Sequence, residues 1–316
     1  MLQDKQYHYE RCGNFSPGKI VSKSKRFCHR YTIVTYLLYY MVGGSAHISA
    51  LWHLNSDQKG ETFTANVTCY DFMPYFFIIP FSTETTTGCK NALIMMDAGL
   101  GIMAFYIASY DALFCSLLIC LKTKLQILCE ATKAIRERVV MKLDLPQHYR
   151  IFKDELNREF EAEMYAEIRR INFHLESLLS VCIDIEALFS YTTLIQTMTS
   201  LVVLASCLFV ASLVPYTDPE FYSLIEYSLA ILCQLLMICY FGNLITEVSL
   251  SYRYSLYECD WYSSSQRFKQ AILIMMCRIE KPLYLTIGKF SPLTLNTFVS
   301  VVKASFSYAA VFRTVD

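Results

Sequence analysis

The longest uncharged run in this chain extends from Ala187 to Thr217. It exceeds the roughly 20 residues that a helix needs to cross a bilayer, and it predicts a transmembrane helix near residues 190–214. The composition agrees, because 54% of the 316 residues are hydrophobic, and glycine and proline are scarce at 10 and 8 residues. This profile is typical of a helical membrane protein rather than a soluble domain, so we predict an all-α, polytopic fold.

Four further apolar segments predict spans near residues 32–52, 93–121, 222–246 and 287–316. Basic residues orient these spans. The first span follows Lys19, Lys23, Lys25, Arg26 and Arg30, with no acidic residue among them, and a second basic cluster follows residue 121. Because cytosolic flanks are enriched in Lys and Arg, we expect the N-terminus in the cytosol. Five spans then place the C-terminus outside the cell.

The expected topology divides the chain into six segments. These are a cytosolic N-terminal segment (1–30), two spans joined by a large extracellular loop at 53–91 (31–121), a cytosolic helical segment (122–189), two further spans (190–246), a second cytosolic segment (247–286) and the last span (287–316). In the first cytosolic helical segment, apolar residues recur at helical spacing from Phe160 to Leu175. They predict a helix that has one apolar face and continues into the next span.

The extracellular loop carries two features whose meaning depends on this topology. Asn66-Val67-Thr68 is an N-glycosylation sequon on the expected outer side, and a chance match is an equally open alternative. Cys69 and Cys89 are the only cysteines in the loop. An oxidising compartment permits them to pair, and two unpaired thiols are the alternative. Most other cysteines lie in apolar runs, and no C-x-x-C pair indicates a zinc site.

A few isolated polar residues interrupt the apolar runs. Asp97 and Asp111 lie within the span 93–121, where carboxylates are costly and usually face protein or water. Each is a functional candidate; the alternative is that Asp97 lies at the headgroups and Asp111 bonds a neighbouring helix. His47 is alone in its span and His174 has no second ligand at metal spacing, so we expect packing roles for both. No H-E-x-x-H, G-x-S-x-G or P-loop motif indicates an enzyme. We expect no metal and no cofactor.

Three motifs near the C-terminus resemble one known family. Thr294 to Tyr308 fits the pattern S/T-L-x-T-F-x-x-(V/I)-(V/L)-K-x-S-(F/Y)-S-Y, and upstream stand Tyr257-Glu-Cys-Asp-Trp-Tyr262 and Met275-Met-Cys-Arg-Ile-Glu-Lys-Pro282. In this order they resemble the last part of insect odorant receptors. The resemblance implies a ligand-gated, non-selective cation channel that detects volatile small molecules. In such a channel the last helix, here 287–316, lines the pore, and the cytosolic helices at 247–286 anchor the subunits.

Full-length members of that family have seven spans, and the residues here match spans three to seven. By this resemblance the chain lacks the first two spans, so a truncated, non-functional isoform is one alternative. A gustatory receptor channel is another, but that group typically carries T-Y-x-x-x-x-x-Q-F where this chain has Ser307-Tyr308-Ala-Ala-Val-Phe-Arg-Thr-Val. A transporter would show Gly- or Pro-interrupted spans in matching halves, and that symmetry is missing here. The odorant-receptor interpretation is favoured.

The resemblance also nominates site residues. It implies an apolar odorant pocket in the outer half of the membrane, for which the candidates are His47, Ser49, Met95, Met96, Gly99, Tyr222 and Tyr227. Each of them is also compatible with a core position. It places the pore constriction at Val311, Thr314 and Val315, on one helix face, where a ring of valines would exclude water. The alternative is that the final residues fray at the membrane surface.

The resemblance finally implies partners and a location. We expect a heterotetramer with the olfactory co-receptor, joined mainly through the cytosolic segments 122–186 and 250–286, in the plasma membrane of an olfactory sensory neuron and in contact with its lipid. The net charge of zero argues against nucleic acid as a partner.

Overall fold

The computed structural model describes residues 9–13, 15–57, 68–73, 78–146, 149, 153–217 and 219–315. Its α-helices are α1 (Pro17–Asp57), α2 (Thr86–Lys133), α3 (Ile135–Lys142), α4 (Arg158–Leu213), α5 (Pro219–Glu258), α6 (Gln266–Arg278) and α7 (Leu295–Val315). Two short 3-10 helices lie at Cys69–Phe72 and Asp154–Leu156, and strands β1 (Thr286–Ile287) and β2 (Ser291–Pro292) form an antiparallel hairpin. The predicted all-α class is confirmed.

Within the described ranges, four helices are long and apolar enough to cross a membrane. They are α2, α4, the Phe221–Glu258 part of α5 and the Leu295–Arg313 part of α7, and they correspond to four of the five predicted spans. The remaining predicted span, 32–52, lies in α1. This helix has 41 residues, but its apolar half is diluted by tyrosine, serine, glycine and histidine. It stays a prediction that α1 crosses the membrane. The orientation of the two termini also stays a prediction.

The predicted last span begins too early at residue 287. Gly288 and Lys289 have φ angles of +58° and +63°, a left-handed conformation that does not continue a helix. Pro292 has no N–H to donate to a helical hydrogen bond, and it lies in β2. Residues 286–292 therefore form a hairpin, and α7 begins at Leu295.

The other spanning helices are longer than the apolar runs that predicted them. Helix α2 continues to Lys133, α4 starts at Arg158 and α5 ends at Glu258. Charged residues such as Glu, Lys and Arg are good helix formers, so a helix need not end where its apolar run ends. Much of the predicted segments 122–189 and 247–286 is thus a continuation of spanning helices.

The chain forms two compact units. The first unit comprises Met1–His29, Phe114–Thr199 and Leu235–Val301. The second unit comprises Arg30–Leu113, Ser200–Gln234 and Val302–Asp316.

The core of the first unit includes the apolar stripe expected on α4. Its members are Phe160, Met164, Ile168, Ile171 and Leu175, and all of them are buried. The periodicity at three- and four-residue spacing, which puts side chains on one helix face, is therefore confirmed.

The first unit also buries ion pairs. Arg138 Nη1 lies 2.6 Å from Glu167 Oε2, and Arg136 Nη2 lies 2.7 Å from Asp154 Oδ2. Arg136 additionally donates to Ser263 Oγ at 2.5 Å. A buried charge is tolerated only when it is paired and hydrogen-bonded, and these arginines meet that condition.

The described N-terminal residues pack against this charged core. Tyr9 Oη lies 3.0 Å from His174 Nδ1, and the Arg138 guanidinium lies over the Tyr9 ring at 4.8 Å. His174 is thus the structural histidine that the sequence indicated. Burial raises the pKa of the Cys12 thiol, and the Glu137 carboxylate raises it further. The thiol stays protonated, so Cys12 contributes as a small apolar group.

The β1–β2 hairpin fits closely against α4 and α5. The Gly288 N–H donates to the Ser190 carbonyl at 3.2 Å, and Thr286 donates to the Glu186 carboxylate. A Cβ placed on Gly242 would lie 2.4 Å from the Leu293 carbonyl oxygen. Only glycine permits that approach of α5 to the chain between hairpin and α7.

Candidate functional site

The candidate site lies in the second unit, along the line where α1 and α2 meet. On α1, the residues Tyr36, Tyr39, Gly43, His47, Ala50 and Leu54 follow one another at three- or four-residue spacing, so they share a face. On α2, the residues Cys89, Leu93, Asp97, Gly101, Phe105 and Ser109 follow one another at four-residue spacing, so each lies beside the next along the helix surface. The contacts below join the start of one series to the end of the other. The two helices are therefore antiparallel, and we call their shared line the α1–α2 seam.

A small apolar core closes one end of the α1–α2 seam. It consists of buried Ala50, Leu54, Cys69, Cys89, Leu93 and Met96. Cys69 and Cys89 form a disulfide, which decides between the two alternatives that the sequence left open. The bond ties the short 3-10 helix to the first turn of α2. The disulfide holds the 3-10 helix to α2, and Ala50 and Leu54 join α1 to the same apolar core.

His47 and Asp97 lie next along the α1–α2 seam. The Nδ1 of His47 and the Oδ2 of Asp97 form an ion pair, and these two atoms are buried. The contact with Asp97 joins His47 to another helix, which is compatible with the packing role expected from the sequence. A single span cannot reveal such a pair, because its partners are 50 positions apart in the sequence.

Asp111 is the centre of a second polar cluster, at the other end of the α1–α2 seam. It is only 2% exposed. Tyr39 Oη donates to its Oδ2 at 2.5 Å, and Gln234 Nε2 donates to the same oxygen at 2.6 Å. The alternative that Asp111 bonds neighbouring helices is confirmed, and the neighbours are α1 and α5. A carboxylate that accepts two such bonds is well stabilised in an apolar surrounding.

A hydroxyl pair adjoins this cluster. Tyr36 Oη lies 2.7 Å from Ser109 Oγ, and the ring of Tyr36 packs against Phe105 at 5.7 Å between centroids. Ser109 Oγ also donates to the carbonyl of Phe105 at 2.6 Å. The sequence analysis did not select Tyr36 or Ser109. Their spacing from His47 and Asp97 on the same helix faces was the available signal.

Four glycines of α1 and α2 between these polar groups have open space beside them. A Cβ placed on Gly43 or Gly101 would meet nothing within 4 Å, and the same is true of Gly44 and Gly99. Gly43 lies midway between Tyr39 and His47 in the sequence, and Gly101 lies midway between Asp97 and Phe105. We call this open stretch the seam gap. Its two ends carry hydrogen-bonding side chains, as a small-molecule site requires.

Helix α5 contributes one more polar contact near the seam gap. Ser45 Oγ lies 3.0 Å from each carboxylate oxygen of Glu226. Glu226 was not among the predicted site residues. Its neighbours Tyr222 and Tyr227 were, and both are exposed; the ring of Tyr222 packs against Phe221 at 5.8 Å.

The remaining pocket candidates differ in their surroundings. Met96 is 2% exposed and belongs to the apolar core at the disulfide, whereas Met95 is exposed. Ser49 is half-buried on α1. Gly99 faces open space. Of the seven candidates, His47 is the one that belongs to the two seam series, and the ligand-binding role of all seven stays a prediction.

The predicted pore constriction lies at the end of α7. One face of this helix is packed, since Ser305 Oγ donates to the Leu201 carbonyl at 3.4 Å and Phe312 stacks against Phe209 at 6.0 Å. Val311 lies on another face and is 56% exposed. Thr314 and Val315 belong to the helix, but their side chains lie outside the described ones. Asn66 also lies outside the described residues.

Comparison with known proteins identifies the family. A sequence profile of the family described as 7tm Odorant receptor matches residues 7–306. The chain is 20% identical over 171 residues to Odorant receptor 10 of Aedes albopictus, covering 54% of this chain and 45% of that receptor. It is 28% identical over 123 residues to the odorant receptor coreceptor of Ooceraea biroi, covering 39% of this chain and 26% of that protein. It thus spans less than half the length of these relatives.

A solved structure supports the fold. The insect olfactory receptor OR5 from Machilis hrabei, in complex with eugenol, superposes with a TM-score of 0.74 at 14% identity, over 96% of this chain and 71% of that one. Within the described residues, no group of three or more His, Cys, Asp or Glu side chains is placed to hold a metal ion. The profile match extends over nearly all of the sequence, and the chain therefore belongs to the insect odorant receptor family of helical membrane proteins.

Proposed function

We propose that this chain is the odorant-detecting subunit of a ligand-gated, non-selective cation channel, working with the olfactory co-receptor in the plasma membrane of an olfactory sensory neuron. The observation that carries the proposal is the seam gap, an open stretch between two apolar helices whose ends are polar. Uncompensated polar groups are costly among apolar helices, so those present there are functional candidates. A volatile ligand is small and largely apolar, and it fits such a site.

A structural neighbour supports a small-molecule ligand. That neighbour, from Machilis hrabei, is described as a complex with eugenol. We propose that the odorant pocket of this chain includes His47 on the α1–α2 seam, with Ser49, Met95, Met96, Gly99, Tyr222 and Tyr227 as further candidates.

The end of α7 supports the pore assignment. Its packed face holds the helix against α4, while Val311 is on an exposed face. In the proposal, Val311, Thr314 and Val315 of this subunit line the constriction, and the apolar side chains close it by excluding water. Odorant binding turns this ring away from the axis and lets ions through.

The surface of the first unit supports assembly with other subunits. Phe290 on the hairpin is 86% exposed, and Tyr254, Tyr257, Tyr262 and Ile274 are exposed on or near α5 and α6. Large exposed apolar groups mark interaction sites. The similarity to a co-receptor sequence is consistent with contacts between related subunits, and we propose that the two proteins form a heterotetramer.

Co-expression tests this function. The chain and an insect odorant receptor co-receptor are expressed together in cells, and odorant-evoked cation currents are recorded against co-receptor alone. We expect currents that depend on this chain. In the double variant Val311→Ser/Val315→Ser, hydration of the constriction should raise the current without odorant and alter ion selectivity. No odorant-evoked current from a chain that reaches the cell surface would refute the receptor function. Unchanged basal current and selectivity in the double variant would refute only the gate.

A further inference from the structure

One exposed face of α1 changes from basic to apolar along the helix, and we call it the outer face. Its first part carries four exposed basic side chains, which we call the basic stripe: Lys19, Lys23, Arg26 and Arg30. Its second part carries exposed aliphatic side chains: Ile33, Val34, Leu37, Met41 and Ile48. Successive residues are about 100° apart around a helix axis, so both groups lie within one arc of about 100°. The face therefore changes from charged to apolar between Arg30 and Ile33.

The apolar part of the outer face has the length of a hydrocarbon core. It begins after Arg30 and ends at Trp52, which lies in the same arc and is 67% exposed. From residue 30 to residue 52, 22 steps of 1.5 Å extend about 33 Å, and a bilayer's hydrocarbon is about 30 Å thick. Arginine and tryptophan are both typical of the boundary between hydrocarbon and headgroups. With α1 across the membrane, Arg30 lies at one boundary and the rest of the basic stripe beyond it.

The basic stripe has no acidic partner within the part of the chain that the structure describes. The one acidic residue of α1 is Asp57, at its far end, and none of the ion pairs includes a side chain of the stripe. The stripe consists of two pairs of residues that are four positions apart, and like charges at that spacing repel each other. The stripe therefore does not stabilise α1 by itself, and an anion bound along it would relieve the repulsion.

The basic stripe also extends further from the membrane than an ordinary phospholipid headgroup. Lys19 is 11 residues from Arg30, which is about 16 Å along the helix axis. The headgroup layer on each side of a bilayer is only about 5–8 Å thick, since hydrocarbon takes about 30 Å of a total of 40–45 Å. An inositol ring with added phosphates extends further into the water than serine or choline, and it carries several negative charges. Its charges match a column of cations that leads away from the membrane.

We propose that the basic stripe binds the headgroup of a phosphoinositide in the cytosolic leaflet, with the acyl chains of the same lipid against the apolar part of the outer face. The cytosolic leaflet is the side on which the basic flank of α1 is expected. Lys and Arg clusters beside a membrane helix are typical of binding sites for anionic lipids of this kind. Lipid binding at this face is separate from odorant detection and does not depend on which odorant is bound.

The two kinds of cation suit different parts of the lipid. Arg26 and Arg30 are nearest to the apolar part, and a guanidinium can bind two phosphate oxygens at once. Lys19 and Lys23 lie further out, at the level of the ring phosphates, where an ammonium group acts as a point charge. Each cation close to a charged membrane surface strengthens binding by about fivefold.

Lipid titration of the purified full chain tests this site. The chain in a neutral detergent is titrated with a dioctanoyl phosphatidylinositol bisphosphate, and binding is measured by microscale thermophoresis. Dioctanoyl phosphatidylserine and free inositol trisphosphate are the comparison ligands. We expect the phosphoinositide to bind roughly tenfold more tightly than phosphatidylserine, because its phosphates reach more of the stripe. It should also exceed the free headgroup by roughly tenfold, because its acyl chains bury apolar area. Equally tight phosphatidylserine overturns the choice of lipid, and an equally tight free headgroup overturns a lipid as the occupant.

Lys23→Gln and Lys25→Gln form the matched pair of variants. Both lysines are exposed and two positions apart, and both substitutions remove one charge, but Lys25 lies on the opposite side of α1 from Lys23. Lys23→Gln should weaken phosphoinositide binding by about fivefold and Lys19→Gln/Lys23→Gln by about 25-fold, whereas Lys25→Gln should change it by less than about twofold. Thermal unfolding should stay the same in all three, because the side chains are exposed. Equal losses in Lys23→Gln and Lys25→Gln, or no loss in the double variant, would overturn the basic stripe as the site.

Discussion

Glycine has opposite roles beside the β1–β2 hairpin and along the α1–α2 seam. Beside the hairpin, a Cβ on Gly242 would come within 2.4 Å of the Leu293 carbonyl oxygen, and one on Gly288 within 2.6 Å of Leu194. On the seam helices, a Cβ on Gly43 or Gly101 would meet nothing within 4 Å. In the first region glycine lets neighbouring chain segments approach closely, whereas in the second it lies in open space. The two regions therefore differ in how tightly they are packed around glycine.

Two ion pairs, one in each unit, differ in how far they are exposed. In the first unit, Arg138 and Glu167 form a pair with both side chains at most 10% exposed. In the second, His47 and Asp97 form a pair that is more than a quarter exposed. A fully enclosed pair fixes a core, because neither partner can turn to anything else. A partly exposed pair can also bond a ligand. The four predictions below test this contrast, from the largest expected effect to the smallest.

The largest effect is expected from Arg138→Met. The substitution leaves Glu167 buried with only the more exposed Arg170, at 3.5 Å, and an unpaired buried charge costs about 3–5 kcal/mol. Thermal unfolding of the purified protein in detergent measures the loss. Arg169→Met is the matched control on α4, the helix that carries Glu167, since Arg169 is exposed, and its effect should stay below about 1 kcal/mol. If the double variant Arg138→Met/Glu167→Leu is no more stable than Arg138→Met, the unpaired charge of Glu167 does not explain the loss of stability.

The next effect concerns the disulfide that closes the α1–α2 seam. Replacing both cysteines, in Cys69→Ala/Cys89→Ala, removes a crosslink between positions 20 apart, and such a loss costs about 2–4 kcal/mol. The odorant response should fall as well, because the spacing of α1 and α2 is no longer fixed at that end. Exposed Cys277 supplies the control, since Cys277→Ala should change neither unfolding nor current. If both variants unfold alike and give equal currents, the disulfide does not stabilise this end of the α1–α2 seam.

Two glycine substitutions test the contrast directly. Gly242→Ala should destabilise the protein by about 1–3 kcal/mol, because the added methyl group overlaps Leu293. Gly43→Ala should raise stability by up to about 1 kcal/mol, because alanine is the better helix former and meets no neighbour. Unfolding temperatures of the two variants measured side by side should shift in opposite directions. Shifts of the same sign would show that the two positions do not differ in this respect.

The sequence revealed the parts of the fold that repeat along one helix. The stripe from Phe160 to Leu175 could be predicted because burial on a helix face leaves a local period, and the long uncharged run before Thr217 because a bilayer demands length. The start of α7 was missed although its signals were present. The apolar residues Ile287, Phe290 and Leu293 led to a span predicted from residue 287. Gly288 and Pro292, which do not continue a helix, were given too little weight.

The site was harder to predict than the fold, because it is made of pairs between distant positions. Asp97 and Asp111 were recognised as unusual from their place in an apolar run, but their partners His47 and Tyr39 lie on another helix. Which residues of two helices meet depends on their relative rotation and register, and neither is encoded in one span. Gly99 was a predicted pocket residue, whereas Gly43 and Gly101 gave no signal of their own, since glycine is common in membrane helices.

The smallest effect is expected from Tyr39→Phe in the Asp111 cluster. The variant removes one of the two donors to Asp111 Oδ2 and leaves Gln234 in place, so we expect a loss of about 0.5–1.5 kcal/mol. Gln234→Leu alone should cost a similar amount, because Tyr39 still donates. The double variant should lose more than the sum, since the buried carboxylate then lacks both donors and groups in one network are not additive. A double-mutant cycle on unfolding free energies gives that coupling. Strict additivity would mean that Asp111 has exchanged its partners for water, and the α1–α2 seam would then be hydrated at this end even without a ligand.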